Sequence, residues 1–73
     1  MAELDFIDVE SSNVARIAYD DENQILHVQF LNGSHYKYMD VPETVYNGML
    51  IAASKGRYLW RNIRDQYEYL RIS

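Results

Sequence analysis

The 73-residue chain carries eleven acids, seven lysines and arginines and no cysteine, for a formal net charge of −4. One domain with one small core fits this length, and a disulfide framework, a thiolate zinc site and a cysteine nucleophile are excluded. No apolar run approaches the ~18 residues of a membrane span, and the opening MAELDFIDVESS is too acidic for a secretory leader, so a cytoplasmic domain without a membrane partner is expected.

Residues 1–10 read as an acidic, flexible leader, and residues 11–73 as a single folded domain. VARIAYD (14–20) has the alternation of a strand, with Ala15, Ile17 and Tyr19 on one face. DDEN follows as a turn, because Asp and Asn side chains bond nearby backbone and tolerate unusual dihedrals. QILHVQF (24–30) is a second strand that sets Leu26, Val28 and Phe30 against His27 and Gln29. Asn32-Gly33 is a strong hairpin signal leading into a third strand, SHYKYMD (34–40).

The hairpin register decides the role of the Tyr36-Lys37-Tyr38 motif. A two-residue turn would pair Leu31 with Ser34 and put both tyrosines on the polar face, as a stacking platform. A three-residue loop with Gly33 left-handed pairs Phe30 with Ser34, Val28 with Tyr36 and Leu26 with Tyr38. The second register gathers the large apolar residues on one face and leaves His35 and Lys37 outside, so it is the one expected. Tyr36 and Tyr38 are then mainly structural, with hydroxyls at the rim.

DVPETVYNGMLIAA (40–53) starts a helix, with Pro42 suited to its first position and Asp40 and Glu43 complementing its N-terminus. Val45, Tyr46, Met49, Leu50 and Ala53 form its apolar stripe, and Gly48 permits close packing on the sheet. SKGRYLWRNIR (54–64) forms a shorter helix capped by Ser54, with Leu59 and Ile63 turned inward. YEYLRI (67–72) alternates as a terminal strand. The expected fold is therefore α+β: a three-stranded antiparallel meander, a longer and a shorter helix packed on one face, and a short C-terminal strand.

No catalytic residue or cofactor site emerges. The serines lack a histidine at a defensible spacing, the DDE carboxylates sit on a solvated turn, and the glycines at 33, 48 and 56 form no phosphate loop. His27 and His35 approach each other on the outer face, but they lack further ligands for a metal, have Lys37 beside them and are expected to be solvated. Residues 1–52 hold nine acids and two bases, whereas residues 53–73 hold five bases and two acids. Arg57, Arg61 and Arg64 recur at i, i+4 and i+7 on the second helix, with Lys55 and Trp60 close by. Such a stripe suits phosphates, and the indole suits a base, so RNA, either tRNA or single-stranded, is the expected partner. A solvated helix face is the plain alternative for the arginines. A protein partner docking on the outer sheet face or an edge strand is the alternative function; no small-molecule substrate is indicated.

SSN (11–13), YD (19–20), FLNGSHYKYMDVP (30–42), VY (45–46), SKGRY (54–58), NIR (62–64) and YEY (67–69) together resemble the KTSC domain. That family takes its name from the C-terminus of some lysyl-tRNA synthetases and also occurs as small stand-alone bacterial and phage proteins. The resemblance implies a small domain of unestablished function for which RNA binding has been suggested; a phage- or host-derived regulator is also compatible with it. The chain departs from the pattern at Leu59-Trp60, where the family is expected to carry an aromatic followed by a polar residue. Trp60 is thus open between surface and core, and between a family feature and one of this chain.

Overall fold

The computed structural model describes residues 4–73. Five strands form one antiparallel sheet in sequence order: β1 (Ile7–Asp8), β2 (Val14–Asp20), β3 (Ile25–Phe30), β4 (His35–Tyr38) and β5 (Tyr69–Arg71). Between β4 and β5 the chain forms α1 (Glu43–Ile51) and α2 (Lys55–Asn62), which pack together on one face of the sheet. The architecture is α+β, as expected, with one strand more than the sequence indicates. Ile7 and Asp8, assigned to a flexible leader, pair with Ile17 and Arg16. A two-residue strand is too short to show its own alternation; tertiary pairing creates it.

The β3–β4 register is the one that the apolar pattern demands. Leu26 pairs with Tyr38 and Val28 with Tyr36, while the Phe30 amide donates to the Ser34 carbonyl at 2.9 Å. Gly33 takes φ +94°, where a side chain is strained, and the Asn32 side-chain oxygen accepts from the Ser34 amide at 3.0 Å to close the turn. At the β2–β3 turn, Asp20 accepts from the amides of Glu22 and Asn23 and from the Asn23 side chain. The Asn23 side chain, first among these donors, holds the Asp20 carboxyl below its usual range.

One register detail differs. A bulge between Val14 and Arg16 makes Ala15 the extra residue, so Val14 faces the core beside Ile17 and Tyr19. Simple alternation would have chosen Ala15; the bulge places the larger side chain inside.

The core gathers Val14, Ile17, Leu26, Val28 and Tyr38 from the sheet with Val41, Met49, Leu59 and Ile63 above them. α1 is shorter than its apolar pattern suggests and begins after Pro42, which serves as an uncapped N-cap in extended conformation, while Asp40 takes a left-handed turn before it. Of the predicted stripe Met49 is fully buried, Val45, Tyr46 and Leu50 are half-buried, and Ala53 lies beyond the helix in solvent. Gly48 does permit close packing, but against α2 and not the sheet: a Cβ there would run into the Tyr58 hydroxyl, which donates to the Val45 carbonyl at 2.9 Å. Ser54 caps α2 as expected, its Oγ accepting from the Arg57 amide at 3.3 Å.

The outer face is partly covered. Ala18 and His27 are buried there, and Phe6 sets its ring edge-on to both His27 and His35. The two imidazoles approach to 3.1 Å, His27 Nδ1 to His35 Nε2.

Candidate functional site

On the β2 side of the inner face two half-buried tyrosines pair beside a shallow cavity of about 620 Å³. Tyr19 and Tyr46 stack with centroids 4.9 Å apart, and the Tyr19 hydroxyl donates to the Val41 carbonyl, pinning the start of α1 to the sheet. Burial pushes the hydroxyls of both residues above the usual tyrosine range.

The β4–β5 side is open. There α2 stands off from the sheet and leaves a groove of about 250 Å³. Its sheet wall consists of Phe30, Tyr36, Tyr38 and Tyr69. Phe30 meets Tyr36 edge-on at 5.6 Å, Tyr36 and Tyr38 lie nearly parallel at 6.4 Å, and Tyr69 tilts against both within 6 Å. Strand pairing explains this grouping: Tyr38 is opposite Tyr69, and cross-strand partners project to the same face. The YxY motif therefore divides its work. Tyr38 is 3% exposed and belongs to the core, whereas Tyr36 is half-buried and presents its ring to the groove. Burial, followed by the neighbouring Tyr36, raises the Tyr38 hydroxyl, with Arg64 acting in the opposite direction.

The helical wall is Leu59, Trp60 and Arg64. Leu59 is buried, while Trp60 is 56% exposed and carries the Arg64 guanidinium 3.7 Å above its ring. Trp60 is thus a surface residue at the groove mouth. Asn13, Asn32 and Ser34 close one end with polar groups. Gly56 helps to shape that end: a Cβ there would lie 2.7 Å from the Asn13 side-chain oxygen, so glycine lets Asn13 sit beneath the start of α2.

The predicted basic residues separate into two groups. Arg57, Arg61 and Arg64 are exposed, and among the described residues no carboxylate comes within ion-pair distance of them. Lys55 does not join them. Its ammonium donates to the Leu50 and Ala52 carbonyls at 2.9 and 2.6 Å, satisfying the C-terminal end of α1. Helical spacing could not reveal this, because the acceptors belong to a different helix. Sequence reasoning also missed Tyr69, Phe30, Asn13 and Asn32 as groove residues. Tyr69 was discoverable as the same-face partner of Tyr38 once β5 was paired; the two asparagines carry no signal beyond their turn chemistry.

The two histidines were expected to be solvated, but Phe6 and the sheet enclose them. Desolvation lowers both pKa values; for His27, the charges of His35 and Lys37 add to it, while Asp20 opposes. Among the described residues no group of three His, Asp or Glu side chains is placed to hold a metal ion. No helix among them is long and apolar enough to cross a membrane.

An antiparallel sheet with two helices on one face and an open aromatic groove beneath the second helix defines a small α+β domain. The KTSC domain model matches residues 10–67, and the chain belongs to the KTSC domain family. The crystal structure of a KTSC domain protein from Yersinia pestis superposes with a TM-score of 0.91 at 32% identity, covering 97% of this chain and all of that one. An uncharacterized protein of Stutzerimonas stutzeri is 40% identical over 65 residues, 88% of this chain and 92% of that protein. A lysine–tRNA ligase of Nostoc sp. is 36% identical over 64 residues, 88% of this chain but 11% of the ligase.

Proposed function

We propose that this domain is a non-catalytic module that binds single-stranded RNA, including unpaired segments of tRNA, along the exposed face of α2. The observation that carries the reading is the set of guanidiniums on that face: Arg57, Arg61 and Arg64 are uncompensated among the described residues, and Arg64 lies on an exposed indole. Arginine forks bind phosphate oxygens, and a neighbouring ring accepts a base with little regard to sequence. The tRNA ligase relatives support the reading by context, since a domain of this kind occupies a small part of enzymes that act on tRNA. The −7 balance of residues 1–52 opposes long-range attraction, so contacts are confined to the basic end.

Titration with a single-stranded RNA at two salt concentrations tests this. Two or three phosphate contacts give log K against log salt a slope of roughly −1.5 to −2. Charge reversal of Arg57 and Arg61 should abolish most of the affinity with an unchanged urea midpoint. Absence of salt-dependent binding to RNA, even in low salt, overturns the reading.

A protein partner is the second reading, favoured by the outer face of the β4–β5 edge. Leu70 and Ile72 are 54% and 49% exposed there, beside Lys37, on a strand whose far side has no partner among the described residues. Leu70→Glu would impair that function and leave RNA affinity nearly unchanged.

A further inference from the structure

We infer that the groove between α2 and the β4–β5 side of the sheet is a slot for one unpaired base of that RNA, with a preference for uracil. The inference rests on the RNA-binding reading and specifies what the groove adds to the phosphate contacts of the helix. Four observations bear on it. A volume of about 250 Å³ is small for a drug-sized ligand and suits a single planar ring. The groove offers π-faces on opposite walls: half-buried Tyr36 and 56%-exposed Tyr69 on the sheet, and Trp60 on the helix. Apolar rings left in contact with solvent in so small a domain are surface that folding has not used.

The third observation is charge. Arg64 stands over Trp60 at the groove mouth, and Arg71, the cross-strand partner of Tyr36, places its guanidinium 6.0 Å from that ring. One cation at the mouth and another beyond the sheet wall, its Nε bonded to the Ser73 carbonyl, give phosphates flanking an inserted base a place to bind, which an uncharged aromatic ligand would not exploit.

The fourth observation is the polar end, which supplies the base preference. The Asn32 side-chain oxygen is occupied by the Ser34 amide and, at 2.6 Å, by the Ser34 hydroxyl. Its amide nitrogen has no partner among the described residues. Asn13 is similar: its oxygen accepts from the Ser11 hydroxyl at 3.1 Å, leaving the nitrogen unengaged. Ser34 has given its proton to Asn32, so its oxygen is available only as an acceptor. The groove thus offers two amide donors and one hydroxyl acceptor. Uracil has the complementary set, with acceptors at O2 and O4 and a donor at N3. Cytosine would bring its N4 amino group against a donor and leave N3 facing an acceptor. Unpaired bases in RNA are read in this way, by stacking together with hydrogen bonds to the Watson–Crick edge.

Trp60 is the single tryptophan of the chain, so its emission reports on the groove. The probes are hexauridylate, hexacytidylate and a hexameric abasic ribose phosphate. Hexauridylate should quench Trp60 and bind about tenfold more tightly than hexacytidylate, and the abasic strand should bind more weakly still without quenching. Tyr69→Leu should lower hexauridylate affinity about tenfold. Asn32→Asp keeps the oxygen that closes the turn but exchanges the free donor for an acceptor, so the uridine-to-cytidine ratio should fall towards one. Because that ratio is measured within one variant, repulsion from the added charge and any partial loss of folding cancel. Salt-dependent binding with no change in Trp60 emission, and with the abasic strand equal to hexauridylate, overturns the slot and leaves the RNA-binding reading intact. Quenching with equal uridine and cytidine affinities in the wild type overturns the uracil preference. No binding of any hexamer overturns both readings.

Discussion

On the β2 side of the sheet, Tyr19 and Tyr46 stack at 4.9 Å, with the Tyr19 hydroxyl bonded to the backbone before α1. On the β4–β5 side, Tyr36, Tyr38 and Tyr69 cluster at similar separations, yet they run from buried Tyr38 through half-buried Tyr36 to exposed Tyr69. The residue type is the same and the uses differ. What separates them is where each helix lies: α1 lays a ring flat on the first cluster, whereas α2 meets the second through Leu59 and leaves Trp60 and Arg64 at the margin. A tyrosine-rich sheet face is covered where a helical ring lies flat on it and stays partly open where the cover stops short.

Truncation of a tyrosine ring should have the largest effect where the ring is buried. Tyr38→Ala removes a ring that is 3% exposed and should cost about 3–5 kcal/mol, read from urea midpoints. Tyr69→Ala, at 56% exposure on an edge strand, should cost under ~1 kcal/mol. Equal losses would mean that the exposed ring of the β4–β5 cluster is as structural as the buried one.

A smaller loss is expected at the contact between α1 and α2. Gly48→Ala forces the Tyr58 hydroxyl away from the Val45 carbonyl and should cost ~1–3 kcal/mol by overpacking. Tyr58→Phe removes the colliding oxygen at a cost of ~0.5–1.5 kcal/mol for its hydrogen bond. The double variant should therefore be more stable than the sum of the two losses predicts; strict additivity would show that Gly48 and Tyr58 do not press on each other.

The outer face sharpens the contrast at smaller amplitude, because its aromatic cover, Phe6, encloses titrating groups. The folded-state pKa values of His27 and His35 lie below the ordinary ~6.5, so at mildly acidic pH the unfolded chain binds more protons than the folded one. Stability is fully present above that value and falls as pH drops from ~6.5 through the lowered folded values. Urea midpoints should decline between neutral pH and pH ~5. His35→Gln should flatten that decline by removing one titrating group and its charge on His27, while leaving the inner-face groove unaltered. A decline of the same steepness in the variant would assign it to the carboxylates instead.

Much of the fold was legible from local rules. Alternation in 26–30, the Asn32-Gly33 turn and the apolar demands on Tyr36 and Tyr38 sufficed to place β3 against β4 residue by residue, since a slip by one would bury Lys37. Ser54 marked the start of α2, and Leu59 and Ile63 marked its buried side. These features depend on neighbours within a few residues or on the sign of a side chain's transfer free energy, both of which sequence carries directly. The rest required three dimensions. The pairing of Ile7–Asp8, the bulge that brings Val14 inward, the capture of Lys55 by the end of α1 and the approach of Gly48 to Tyr58 each join segments with no periodic relation. The groove is the clearest case. Its aromatic, cationic and amide components come from four separate stretches of chain, and only the distance at which α2 packs decides that they enclose a space.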